Sequence, residues 1–215
     1  MSKKMERRAF EVEDLEVRNE GEEEQNKIRG YAAVFDRLSE PLFGFREKIA
    51  PGAFEEAVEK DDVRALWNHD PNYVLGRNKS GTLKMEEDDN GLYIEIDPPE
   101  TQWAQDLMRS IERRDVTQMS FGFQVEEEEW DKSNKEEPIR TLNKVRLFDV
   151  SPVTYPAYPQ TAVDVRSAEE VYKDFLAAKD RADEAAGEEE RKAGQEEAER
   201  DVRFRENLIK LKGVK

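Results

Sequence analysis

The sequence predicts a mixed fold of several β-strands with at least two inserted helices, followed by a helical, weakly packed tail. Three observations carry that prediction. Some segments place apolar residues at every second position, one places them at every fourth, and core-forming residues thin out sharply beyond about residue 160. The chain has 215 residues, 36% of them hydrophobic and 40% charged, so part of it lacks the apolar material of a globular domain. That length suits one domain of ordinary size plus an appendage, not two full domains.

Taken in order, residues 1–24 read as a flexible or edge N-terminal segment. IRGYAAVF at 28–35 is a short apolar and aromatic strand. PGAFEEAV at 51–58 begins like a helix, with Pro51 at its start and Phe54, Ala57 and Val58 as a small apolar patch. GLYIEID at 91–97 puts Leu92, Ile94 and Ile96 on one strand face. From about Pro99 to Arg113, Trp103, Leu107 and Ile111 draw one stripe along a helix. MSFGFQV at 119–125 and NKVRLFDVSPVTYP at 143–156 supply two more strands. The charged stretch between them, EEEEWDKSNKEEP, predicts an exposed hairpin connection or a mobile loop.

Pro152, Pro156 and Pro159 then disfavour regular structure and set a boundary near residue 165, between a core at 25–165 and a charged tail at 166–215. The residues beyond 160 contain no Pro or Trp and only Tyr172, Phe175 and Phe204 as aromatics, so they have little with which to build a core. A helix-prone run there is broken by Gly187 and Gly194. The last fourteen residues turn net basic and carry Phe204, Leu208, Ile209 and Leu211, which suits either a docking helix or a frayed solvated one. The tail is thus expected to be helical and partly disordered.

Charge and composition exclude several functions. A formal net charge of -16 repels phosphate backbones, so nucleic acid is not an expected partner. With no cysteine the chain forms neither disulfide nor thiolate metal site, and it has no apolar run long enough for a membrane span. The N-terminus carries no apolar signal core. These features read as a soluble intracellular protein without a cofactor.

Three residues carry candidate chemistry. His69, the only histidine, lies in ALWNHDPN where an apolar run meets a turn, a place suited to a general base; the alternative is a surface or capping histidine beside Asp70. A metal site would need carboxylates to complete the ligands, and no histidine pair or HExxH spacing exists, so no metal is expected. Ser120 lies in a strand where Phe121, Phe123 and Val125 share one face and Ser120, Gly122 and Gln124 the other. It is a candidate nucleophile, with Gly122 leaving room for a bound peptide, or else an ordinary solvent-facing serine. The strained GxSxG elbow is absent. Asp149 is an acidic residue inside an apolar strand, where orienting a histidine would satisfy it; exposure on an edge strand is the alternative. Ser151 and Thr154 are hydroxyls close by. Arg113, Arg114, Arg140, Lys144 and Arg146 could bind substrate or be ordinary surface charges.

Together these segments resemble a family. LWNHD, MSFGF and LFDVSPVTYPAYP, in that order and preceded by IRGYAAVFD and IAPGAF, are similar to the HK97-type prohead proteases of tailed bacteriophages, distant relatives of herpesvirus maturational proteases. The resemblance covers roughly residues 25–165. It implies a mostly β, barrel-like core wrapped by helices and a serine endopeptidase active inside the immature capsid in the bacterial cytoplasm. The expected partners are the major capsid protein with its scaffold segment, or a separate scaffold protein, and the enzyme would also cut itself. The family's nucleophile falls on Ser120, its general base on His69 and its acidic third member, more familiarly glutamate, on Asp149. The shorter aspartate implies either a closer backbone or a weaker contact with His69. Dimerisation, as in the herpesvirus relatives, and the tail's role as propeptide or docking arm stay open. Two rival readings are a catalytically inactive capsid-assembly or scaffolding protein and a metal-dependent hydrolase built on His69 and carboxylates.

Overall fold

A computed structural model describes residues 5–11, 15–20, 25–134, 137–155, 168–181, 188, 191 and 192. The chain divides into two units, 1–169 and 170–215. In the first, the strands are β1 (Glu6–Glu11), β2 (Glu16–Glu20), β3 (Gln25–Val34), β4 (Arg46–Ile49), β5 (Arg64–Trp67), β6 (Asp70–Arg77), β7 (Leu83–Glu87), β8 (Gly91–Ile96), β9 (Gln118–Asp131) and β10 (Ile139–Val153). The helices are α1 (Glu55–Lys60) and α2 (Gln102–Glu112), with a 3-10 turn at Asn78–Ser80.

The strands form two sheets over one hydrophobic core. The larger has the order β1-β9-β10-β5-β6, with β4 also on β10; the smaller has the order β2-β3-β8-β7. β9 and β10 form a long antiparallel hairpin, and β10 takes β4 in parallel along Ile139–Leu142 and β5 in parallel at Asp149 and Val150. Phe121, Phe123 and Val125 of β9 and Leu147 and Val150 of β10 share that core with Ile28 of β3 and Leu92, Ile94 and Ile96 of β8.

The mostly β expectation holds, but the sheets do not close into a barrel. Among the described residues no strand of one sheet pairs with a strand of the other, and the two sheets stay separate. β10, 15 residues long, takes two short parallel partners one after the other, β4 at Ile139–Leu142 and β5 at Asp149 and Val150. Nor do helices wrap this core extensively: among the described residues before 168, α1 and α2 are the only α-helices.

α2 follows its expected stripe, burying Ala104, Leu107, Met108 and Ile111. α1 starts later than expected, at Glu55. Gly52 sits at φ +90°, outside helical geometry, and the N–H groups of Gly52 and Phe54 donate to the Glu87 carboxylate on β7 instead of opening a helix. The charged insert is in part the hairpin connection expected, between Asp131 and Ile139, but its first six residues continue β9: Trp130 pairs with Arg140 and Asp131 with Ile139. Phe45 packs on Trp130 at 5.1 Å, and the Arg140 Nε donates to Glu128 at 2.8 Å, which gives this arm an apolar and an ionic anchor.

Arg140 is not a surface charge. It is buried with Glu6, Arg8 and Glu47, and the four side chains tie β1, β4 and β10 together. Arg8 Nε donates to Glu47 at 2.7 Å and Arg8 Nη2 to Glu6 at 2.7 Å, while Arg140 Nη1 reaches both Glu6 and Glu47 at 2.9 Å. Burial works to raise the Glu6 pKa, but the adjacent Arg8 and Arg140 charges outweigh it and hold the carboxyl below its usual range.

Residues 168–181 are helical, as are 188, 191 and 192, and the Tyr172 and Phe175 rings stack at 6.1 Å. The boundary near 165, the glycine breaks at Gly187 and Gly194 and the basic last fourteen residues lie outside the described residues.

Candidate active site

The site is assembled where a tight turn folds over the end of the β9–β10 hairpin. β5 and β6 are joined by two residues, Asn68 and His69, at φ +54° and +58°. Two-residue hairpins favour turns with positive φ at both central positions, and Asn and His tolerate that region better than most residues with a Cβ. Asn68 fixes the turn in space. Its N–H donates to the Pro152 carbonyl at 3.0 Å, its Oδ1 accepts the Thr154 N–H at 2.9 Å and its Nδ2 donates to the Thr154 Oγ1 at 3.2 Å.

Register on the hairpin sets the other two side chains. Ser120 lies opposite Ser151, and Gly122 opposite Asp149, so these four residues share one face while Phe121 and Val150 face the core. A bulge at Phe148 makes this arrangement possible: Leu147 pairs with Phe123 and Asp149 with the next residue, Gly122. Residues two apart on a regular strand share a face; here the extra residue sends Leu147 into the core and Asp149 to the other side.

His69 bridges the two strands. Its Nε2 lies 2.6 Å from Ser120 Oγ and its Nδ1 2.5 Å from Asp149 Oδ1. An ionised carboxylate only accepts, so Nδ1 carries the proton and Nε2 is free to accept from the serine hydroxyl. Ser151 Oγ donates to the same Asp149 Oδ1 at 2.7 Å. The group is largely sealed from water: Ser120 is 0% exposed and the His69 and Asp149 side chains 9% and 8%.

All three sequence candidates are therefore brought together, and several alternatives fall. Ser120 is not solvent-facing. Asp149 lies on an interior strand of its sheet, and the aspartate reaches His69 directly in spite of its shorter side chain. Asp70 does not hold His69; its Oδ1 accepts from the Asn72 N–H and side-chain amide. The space at Gly122 is not left for a bound peptide: a Cβ there would lie 2.2 Å from Asp149 Oδ2, so the carboxylate itself fills it. Of the basic candidates, Lys144 pairs with Glu56 at 2.9 Å and Arg146 stacks over Phe148 at 5.3 Å. Asn68 went unread, although an Asn before His69 between two strand-like runs carried the hairpin signal. Among the described residues no group of three or more His, Asp or Glu could hold a metal ion, and no helix is long and apolar enough to cross a membrane.

A hydroxyl, an imidazole and a carboxylate linked in this order form the arrangement used by serine hydrolases. The family model for caudovirus prohead serine proteases matches residues 13–174, and the chain belongs to that family of proteases. Among solved structures, the bacteriophage T4 capsid assembly protease, gp21, is similar with a TM-score of 0.44 and 13% identity, over 71% of this chain and 98% of that one. No curated protein matches the sequence.

Proposed function

We propose that this protein is a serine endopeptidase that cleaves capsid or scaffold protein segments, and itself, during phage prohead maturation in the host cytoplasm. Ser120 is the nucleophile, His69 the general base and then acid, and Asp149 the residue that orients His69. The reading rests above all on the two short contacts of His69, to Ser120 at 2.6 Å and to Asp149 at 2.5 Å, in a chain with no other histidine.

In this mechanism Ser120 Oγ attacks the scissile carbonyl as its proton passes to His69 Nε2, giving a tetrahedral intermediate and an imidazolium held by Asp149. The imidazolium then protonates the leaving amine, and the C–N bond breaks to leave an acyl-enzyme. Water, deprotonated by the same nitrogen, hydrolyses the ester and restores Ser120. Residues 25–165, together with the edge strands β1 and β2, serve as the catalytic core and 166–215 as a propeptide or docking arm.

Co-expression with the major capsid or scaffold protein, followed by intact mass spectrometry of every chain, tests the proposal. Wild-type protein should trim partner and tail, and folded Ser120→Ala should leave every mass intact. Identical masses from both proteins under conditions that build proheads would overturn it.

A further inference from the structure

Resting on the proposed function, we infer that Ser151 is a positioning residue for the reaction, the outermost link of a chain running Ser151–Asp149–His69–Ser120. Three observations carry this. The Ser151 hydroxyl donates at 2.7 Å to Asp149 Oδ1, the same oxygen that meets His69 Nδ1. Ser151 is 0% exposed, so no bulk water can replace that donor. The other carboxylate oxygen, Oδ2, is confined against Gly122. The carboxylate is thus held on one side by a hydroxyl and on the other by backbone, which leaves Oδ1 aimed at the imidazole.

The register also explains why these two serines play different parts. Ser120 and Ser151 are direct cross-strand partners, and residues paired this way have Cβ atoms about 5 Å apart, so both are near the ring. Only Ser120 Oγ lies at His69 Nε2; Ser151 spends its proton on Asp149. Ser151 sits two residues beyond Asp149 on the same face, which is the spacing that lets a serine reach back to a carboxylate on its own strand. Among the described residues its hydroxyl bonds to Asp149 and not to the nucleophile's oxygen, so its effect passes through Asp149 and His69.

Without this donor, Asp149 can rotate about its side-chain torsions and the Nδ1–H bond loses its fixed acceptor. A variant lacking the hydroxyl should lose kcat by roughly ten- to a hundredfold, as is common for groups that orient a reacting residue through one intermediary, with KM within about twofold.

Because His69 is the only histidine, protein labelled with 15N-histidine reports both ring nitrogens without ambiguity. Wild type should show one neutral tautomer, with a low-field Nδ1 proton protected from exchange. In Ser151→Ala that proton should move upfield and exchange faster, and the second tautomer should become populated. Ser151→Thr, which keeps the hydroxyl, should restore both spectrum and kcat. Ser151→Cys, a weaker donor of similar volume, should fall between, and it carries the test if the alanine variant does not fold. A wild-type spectrum and rate in the folded alanine variant, or in the cysteine variant if alanine fails to fold, would overturn the assignment. The spectrum needs no substrate. If Ser120→Ala left cleavage unchanged, the proposed function would fall while the hydrogen-bond relay could still be measured.

Discussion

Gly122 shows how little space separates the members of the site. The hydrogen on its Cα is all that fits beside Asp149 Oδ2, and a methyl group 2.2 Å from that oxygen must push the carboxylate away. Gly122→Ala should therefore fold and yet lose cleavage, with kcat down on the order of 10²–10⁴-fold, approaching Asp149→Asn, which would favour the wrong imidazole tautomer. Cleavage kinetics beside thermal unfolding of each variant check this; an active Gly122→Ala would mean that the carboxylate has another resting place. Ser120, His69 and Asp149 each had an ordinary alternative when read alone, and what singled them out was the order of the segments LWNHD, MSFGF and LFDVS, which resembles that of the prohead proteases. The neighbours that hold them were harder to read. Which side chain fills the gap at Gly122 depends on the phase of β10, and that phase is reset by a bulge at Phe148 that has no marker in the string RLFDVS.

Among the elements, the β5–β6 turn carries His69 and so sets where its ring lies between Ser120 and Asp149. Asn68 combines a left-handed backbone with two side-chain bonds to Thr154. Asn68→Ala should cost about 2–3 kcal/mol, from roughly 1–2 for backbone strain and about 1 for the lost bonds, and should lower kcat by releasing His69. Asn68→Gly keeps the backbone free and loses the bonds alone, so it should cost about 1 kcal/mol. Urea unfolding of the pair separates the two contributions, and equal losses would show that the turn is not strained by alanine. The α2 stripe and the β8 alternation were readable because tertiary packing agrees with local period. The insert at 126–138 was legible as a hairpin connection, but its run of glutamates hides the strand at 126–131, whose anchors are Arg140 across the hairpin and the remote Phe45 under Trp130.

For the molecule as a whole, carboxylates held below their usual range set the response to acid, among them Glu6 in the buried ionic cluster and Glu95 on β8 of the other sheet. Glu6 has a folded pKa below its usual value of 4.5, and Glu95 is lowered to about 2: burial there pushes it up, and hydrogen bonds from Lys27, Lys84 and Arg29 more than offset that. For a depressed carboxylate the stabilisation is complete above the unfolded pKa and is lost as pH falls through the folded one. Stability should therefore begin to fall below about pH 4.5 and keep falling towards about pH 2, as followed by urea midpoints across that range. Arg140→Met removes one cation and leaves Glu6 and Glu47 to Arg8 alone, which should cost about 3–5 kcal/mol in the same assay at neutral pH. A loss below about 1 kcal/mol would mean that the carboxylates find water or protons at little cost. This cluster was illegible in advance: its members come from positions 6, 8, 47 and 140, and nothing in a sequence 40% charged marks four of those charges as interior. The open sheets were likewise unreadable, since closure depends on which edges meet.

The pairing of β1 with β9 also bears on when the protein becomes dangerous to its surroundings. Ala9 lies opposite Ser120, more than a hundred positions along the chain, and the strand bearing Asp149 must dock between β9 and β5 before His69 has its carboxylate. Contacts of such long sequence separation pay their loop-closure entropy before they return any stability, so sheets of this kind form late and slowly, over milliseconds to seconds. A partly folded chain holds its serine and its histidine on unconnected segments. If the proposed site is the catalytic one, proteolytic competence requires β10 in place, and a growing chain on the ribosome would be harmless until β10 has been made.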